Sequence, residues 1–260
     1  MPTEKSDKIF KTFKQLQLSG KKALALLIDP EKVGAESQFK SLINQAYQNE
    51  VDFFFIGGSL LTEKNVDKTV MRIKEVCADI PVILFPGNVI QISPLADGIL
   101  FLSLISGRNP ELLIGQHVTA APLLANTELE VLPTGYMLVN DGQISSASYI
   151  SQTIPIPNNK PSLAKATALA GKFLGLQTFF LDAGSGANTP VSKEIIKHVK
   201  QTTQSPLIVG GGINSIEKAR NVWDAGADIV VLGNGVEKNP DLLTEVLDFM
   251  KVYNLSLNVN

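Results

Sequence analysis

The chain has 260 residues, 44% of them apolar, enough to bury the core of one large domain or two small ones. Its 23 basic and 25 acidic residues leave a net charge of −2, which gives no electrostatic support for nucleic-acid binding. A single cysteine, Cys77, excludes an internal disulfide and a cysteine-based zinc cluster, and the two histidines, His117 and His198, lack ligand spacing. The segment MPTEKSDKIF is charged and has no apolar h-region, so no signal peptide is expected. The longest apolar runs, such as ALALLI and GILFL, fall far short of the ~20 residues that span a bilayer. A soluble cytoplasmic protein is the expected class.

Residues 6–18 read as a leading helix. Residues 23–28, ALALLI, form a continuous apolar run ending in Asp29-Pro30, as in a strand buried on both faces. Phe39, Leu42, Ile43, Ala46 and Tyr47 follow at helical spacing. DFFFIGGS is a second strand and turn, and residues 62–77 a second helix carrying Val66, Val70 and Ile73 on one side. PVILF is the third strand and GILFLSLI the fourth.

Asn109-Pro110-Glu111 opens a helix to about Ala125, with Asn as cap, Pro in the first position and Glu in the first turn. EVLPTGYMLV is the fifth strand. NDGQ reads as a tight hairpin turn. The polar stretch SSASYISQTIPIPNN reads as a long loop or small ribbon over one end of the sheet. Then come a helix over 161–174, strand TFFLD, a helix over 191–203 and strand PLIVG. A helix carrying Ile216, Ala219, Val222 and Trp223 follows, then strand DIVVLG. Leu243, Val246, Leu247 and Met250 mark the last helix.

Eight strands alternate with helices except once, and no Ser/Gly-rich linker divides the chain. The fold expected is α/β: a modified (β/α)8 TIM barrel over 1–260, with a leading helix in 1–20 and no regular helix between strands three and four. An open doubly wound sheet lacks its fingerprint here, since GSGANT fails at its last position.

In a barrel the site lies at the C-terminal ends of the strands. Three glycine-rich segments end strands six, seven and eight: Asp182-Ala-Gly-Ser-Gly-Ala, Gly210-Gly-Gly-Ile-Asn-Ser and Gly233-Asn-Gly. Glycines let several backbone N–H groups approach one anion, and barrels often bind phosphate after strands seven and eight. Tight strand–helix turns are the plain alternative. Asp29, ending strand one, could cap a helix, pair with Lys32 or bind magnesium. Asp182 beside the phosphate loop would repel a dianion unless it contacts a hydroxyl, so it reads as a general base or hydroxyl anchor. His117 reads as a surface or core residue and Cys77 as structural. No strand carries a lysine that would serve a Schiff-base aldolase.

LIDPEK, GGSLLTEKNV, PVILFPGN, FLSLISGRNPELLIGQH, PTGYMLV, FLDAGSGA, VGGGINS and DIVVLGNGVEKNP occur in this order. Together they resemble the geranylgeranylglyceryl phosphate synthase family, which includes the bacterial heptaprenylglyceryl phosphate synthases. The likeness runs from about Lys21 to Phe249 and looks closest to the larger archaeal and bacterial subgroup. It implies Mg2+-dependent transfer of a prenyl group, C20 for this subgroup, from its diphosphate to the 3-hydroxyl of sn-glycerol 1-phosphate. It implies a homo-oligomer, a dimer or a hexamer of dimers. By resemblance Asp29 and Ser59 hold magnesium and the diphosphate. Phe180, Leu181, Asp182, Ala183, Gly184, Ser185 and Gly186 embrace glycerol phosphate, and Gly211, Gly212, Gly233 and Asn234 complete the phosphate cup. The family usually has YLEAGSG where this chain has FLDAGSG. The phenol is lost at Phe180, and Asp182 replaces a glutamate proposed to receive the hydroxyl proton.

A sugar-phosphate isomerase with Asp29 and Asp182 as paired acid and base uses the same residues, and a non-catalytic phosphate binder is a third reading. The discriminating feature is FPGNVIQISPLADGILF. Between Gly87 and Pro94 too few residues remain for a crossover helix. Val89, Ile90 and Ile92 would then line a side groove, joined at its mouth by Tyr136. A twenty-carbon chain needs such a groove; a sugar phosphate does not.

Overall fold

Once placed in a sheet, the apolar runs alternate between two buried faces. The computed structural model describes residues 7–34, 36–59, 65–233, 235–236 and 239–257. The strands are β1 (Ala23–Ile28), β2 (Phe53–Ile56), β3 (Val82–Leu84), β4 (Gly98–Leu104), β5 (Glu130–Asn140), β6 (Ile156–Pro157), β7 (Thr178–Asp182), β8 (Leu207–Gly210) and β9 (Ile229–Leu232). All pair in parallel in the order β4-β3-β2-β1-β9-β8-β7-β5, and β4 pairs with β5 to close an eight-stranded barrel. The two-residue β6 lies outside it, against the end of β5.

Inward-facing Ala23, Ala25, Phe53, Phe55, Ile83, Leu100, Leu132, Phe180, Ile208, Ile229 and Val231 form one core. Their neighbours Leu24, Leu26, Phe54, Leu181, Val209 and Val230 face the helices and form the other. Each fully buried large side chain contributes about 1.5–3 kcal/mol.

The helices are α1 (Lys8–Ser19), α2 (Glu36–Gln48), α3 (Val66–Lys74), α4 (Gln116–Ala125), α5 (Ser146–Ser151), α6 (Pro161–Phe173), α7 (Lys193–Thr203), α8 (Ile216–Asp224) and α9 (Asp241–Ser256). The first seals the foot of the barrel. Phe13 meets Phe53 edge-on at 5.2 Å, and the buried Glu130 carboxylate accepts from the N–H groups of Ile9 (2.8 Å) and Phe10 (2.7 Å). No helix of the described residues is long and apolar enough to cross a membrane.

Between β3 and β4 stands only one 3-10 turn, Val89–Gln91, as the sequence implies. Asn109 does cap the segment after β4, its Oδ1 accepting from Glu111 N at 3.1 Å. A single wide turn, Glu111–Gly115, then leads into α4.

Three expectations need correction. Gly142 turns with φ +89°, but β6 runs parallel to β5, so NDGQ does not make a hairpin. The polar stretch after it contains the helix α5 rather than only loop or ribbon. Its Ser145 Oγ accepts from Ser148 N at 3.1 Å while Ser148 Oγ accepts from Ser145 N at 2.9 Å, a reciprocal cap. Tyr149 and Ile150 are exposed, so no apolar periodicity betrays that helix. The second helix ends earlier than expected: α3 stops at Lys74, while residues 60–64 lie outside those described. Cys77 is buried against Ile43 O, and burial pushes its thiol up to about 11.

Candidate active site

Among the described residues, two adjoining cavities open at the C-terminal ends of the strands. The first, about 420 Å³, is lined by Asp29, Ser59, Asp182 and the glycines of three loops: Gly184 and Gly186, Gly211 and Gly212, and Gly233. Gly211 (φ +81°) and Gly212 (φ +71°) hold backbone angles that side chains rarely adopt. A Cβ on Gly211 would come within 2.8 Å of Asp182 Oδ1, and one on Gly212 within 2.5 Å of the Thr189 carbonyl. These glycines do make tight turns, and the turns converge on one polar cup.

Asp182 ends β7 pointing inward. Its Oδ2 accepts from the Tyr136 hydroxyl at 2.6 Å and its Oδ1 from Gly184 N–H at 2.7 Å. Burial raises its pKa above the ordinary carboxylate value, against the downward pull of those two hydrogen bonds. Burial, with the neighbouring Asp182 charge, pushes the Tyr136 phenol well above its ordinary value, so it remains a neutral donor.

Of its sequence readings, Asp29 meets the pairing with Lys32 and not the helix cap, since α2 begins only at Glu36 and the carboxylate instead holds a local turn. Its Oδ1 accepts from Glu31 N at 3.1 Å, and its Oδ2 pairs with Lys32 Nζ at 3.3 Å. It also presses on the neighbouring loop, where a Cβ on Gly58 would lie 3.0 Å from Oδ1. Ser59 follows directly and lines both cavities.

The second cavity, about 330 Å³, is mostly apolar and runs between β4, the 3-10 turn and α4. Val89 and Ile92 line it with Ile99, Phe101, Leu112 and Ala120. Gly58, Ser59, Phe85, Tyr136 and Ala147 border both cavities, so the groove and the cup meet at these residues.

Several named positions fall elsewhere. Ile90 is 63% exposed and points away from the groove, because a three-residue turn cannot aim consecutive side chains the same way. Leu181 and Ala183 face the outer core, as strand alternation requires once Phe180 and Asp182 face in. Phe180 stacks on Phe85 at 4.9 Å and lines the floor of the cup. Asn234 lies outside the described residues. His117, expected at the surface or in the core, stands half-buried in the groove wall, edge-on to Phe101 at 4.4 Å. Burial lowers its pKa and so favours the neutral ring. The groove residues of α4 and α5, and the contact between Tyr136 and Asp182, come from chain segments far apart in sequence, and no local pattern announces them.

The model of the PcrB family matches residues 17–250. The chain belongs to the PcrB family. A relative from Spirosoma linguale, named geranylgeranylglyceryl phosphate synthase, is 52% identical over 93% of this chain and 96% of its own. A protein of the same name from Korarchaeum cryptofilum is 40% identical, over 86% of this chain and 91% of its own. Among solved structures, the Thermoplasma acidophilum (S)-3-O-geranylgeranylglyceryl phosphate synthase superposes with a TM-score of 0.86 at 30% identity. It covers 94% of this chain and 98% of that one, and it holds the substrate sn-glycerol-1-phosphate. The PcrB family match thus spans both cavities.

Proposed function

We propose that this chain transfers the geranylgeranyl group of its diphosphate to the 3-hydroxyl of sn-glycerol 1-phosphate, releasing diphosphate. One observation carries the reading: an apolar groove and a glycine-lined anion cup share a border at Gly58, Ser59, Phe85 and Tyr136. That geometry suits a reaction between a long hydrocarbon and a small phosphate. An aldose phosphate isomerase would use Asp29 and Asp182 but has nothing to place in the groove.

The glycine loops of β7, β8 and β9 hold the glycerol phosphate, with their N–H groups facing the dianion. The prenyl tail lies along Val89, Ile92 and Phe101, bringing C1 to the shared border. The C1–O bond to diphosphate breaks and the glycerol oxygen bonds to C1. The hydroxyl proton passes to Asp182. Its raised pKa makes it a better proton acceptor than an ordinary aspartate. Tyr136 fixes the carboxylate from one side, in a site that lacks the family's phenol at Phe180.

Asp29 and Ser59 are the residues that would hold Mg2+. Among the described residues no group of three or more His, Cys, Asp or Glu is placed to bind a metal. One carboxylate and one hydroxyl fit an ion that takes its remaining ligands from water and substrate phosphates. When bound, Mg2+ supplies positive charge that stabilises the leaving diphosphate. For the homo-oligomer implied by resemblance, exposed Ile114 and Val118 on one side of the α4 segment, with Ile144, Tyr149 and Ile154 around α5, offer apolar contact surface.

The test is product formation by purified protein. Geranylgeranyl diphosphate should be consumed only when glycerol 1-phosphate and Mg2+ are both present, giving the prenyl ether. No ether from any C15–C35 diphosphate would sink the reading. Asp29→Ala should abolish turnover while leaving glycerol phosphate binding largely intact, and equal loss of both would contradict its role.

A further inference from the structure

The 3-10 turn that replaces a helix carries one side chain that neither lines the groove nor faces solvent. Gln91 is 1% exposed. Val89 and Ile92 turn to the groove and Ile90 to water, while Gln91 points between the loop after β2 and the loop after β3. Its Nε2 donates to Gly58 O at 2.9 Å. Its Oε1 accepts from Gly87 N–H at 3.0 Å and, at 3.4 Å, from Gly58 N–H. Here one planar group meets a carbonyl that needs a donor and an N–H that needs an acceptor. A carboxamide supplies both.

The two loops are pressed together so closely that only glycine fits. A Cβ on Gly57 (φ +158°) would lie 1.9 Å from Phe85 O, and one on Gly87 would lie 2.5 Å from Gly58 O. Gly58 is followed by Ser59 and stands against Asp29. Gln91 thus fixes the stretch of backbone that presents Ser59 at the junction of groove and cup. The same turn supplies Val89 and Ile92 to the groove.

We propose that Gln91 is a positioning residue for the diphosphate end of the prenyl substrate: it sets the Gly58–Ser59 backbone and ties that segment to the groove lining. The inference rests on the prenyl-transfer reading above, and it predicts an effect on one substrate only. Gln91→Met keeps the length and the unbranched chain but removes donor and acceptor. Its KM for geranylgeranyl diphosphate should rise about tenfold, the scale of one lost buried hydrogen bond. Its KM for glycerol 1-phosphate should stay within about twofold of wild type. Inorganic diphosphate, tested as a binding probe by calorimetry without turnover, should weaken by a similar factor. Gln91→Glu keeps an acceptor for Gly87 and loses the donor to Gly58, so it should show the same selective loss.

Unchanged kinetic constants with only a lower melting temperature would overturn the proposal, as would an equal rise in both KM values. Should the methionine variant fail to fold, the glutamate variant is judged by the same split. If wild type forms no prenyl ether, the reading of function fails, while the diphosphate affinities of wild type and variant still decide whether Gln91 positions an anion site.

Discussion

Acidic residues stand at both ends of the barrel strands, and the two ends use them differently. At the foot, Asp52, Asp97 and Asp228 each directly precede a strand and accept a backbone N–H from its neighbour. The donors are Leu24, Val82 and Leu207, each at 2.8 Å. Asp97 and Asp228 also pair with Lys74 and Lys200, and Glu130 binds the start of α1. At the mouth, Asp29 and Asp182 border an open cavity, and Asp182 takes a hydroxyl as partner. The difference is one of access. A foot carboxylate is committed to strand register, whereas a mouth carboxylate keeps an approach for substrate.

Exchanging charge for amide at each end breaks the comparison into measurable parts. Asp182→Asn should lower kcat by about 10²- to 10⁴-fold, the usual worth of a general base. Its melting temperature should change little, and steady-state kinetics beside thermal denaturation would separate the two effects. Asp228→Ala should do the reverse. It strands the Lys200 ammonium and leaves the buried Leu207 N–H without its acceptor, a loss of about 3–5 kcal/mol. Urea unfolding should show that loss, with kcat per folded molecule unchanged.

The foot and the mouth were not equally legible in the sequence. Strand ends were plain because both faces of each strand are buried, so ALALLI or TFFLD reads as a single apolar run. Residues following such runs fall at the mouth by topology alone, which located Asp29, Asp182 and the glycine loops. The gap after β3 was legible by counting. Direction was not, since strand spacing alone does not set Ile90 toward water and Val89 toward the groove. The serine-capped α5 is hidden from a sequence reading because it buries no large apolar side chain: Tyr149 is exposed, and Ile150 borders the groove but stays 44% exposed. Gln91 and the partnership of Tyr136 with Asp182 depend on loops meeting across the barrel. The foot aspartates carried a pattern, Asp immediately before a strand, but their N–H donors belong to neighbouring strands some 15 to 28 residues away.

Asp52 sharpens the comparison through pH. Burial raises its pKa to about 6, against the pull of the Leu24 N–H. Below about pH 4 it is protonated in both folded and unfolded chains. Between there and pH 6 the folded protein keeps a proton that the unfolded chain has lost, so stability falls as pH rises. Above pH 6 the loss is complete, at most about 3 kcal/mol. Asp52→Asn should therefore be more stable than wild type near pH 7.5 and equal to it near pH 4. Unfolding at the two pH values checks this, and a gain that persists at pH 4 would contradict burial of the charge as the cause.

The smallest effect belongs to the hydroxyl that distinguishes the mouth. The Tyr136 hydrogen bond favours ionised Asp182, whose pKa burial has raised. Tyr136→Phe removes that support and leaves the burial, so the pKa of Asp182 rises further. The base must be ionised to accept a proton, so the acid limb of the kcat profile should move to higher pH. The alkaline plateau should fall less than about tenfold, since the carboxylate keeps its bond to Gly184 N–H. A drop that is uniform at every pH would mean that Tyr136 acts by packing against Phe85 and Phe180, not through Asp182. A shift of the limb toward lower pH would reverse the assigned role. The pH profile thus separates a mouth carboxylate tuned by its partner from a foot carboxylate such as Asp52, whose neighbours set stability and leave the chemistry alone.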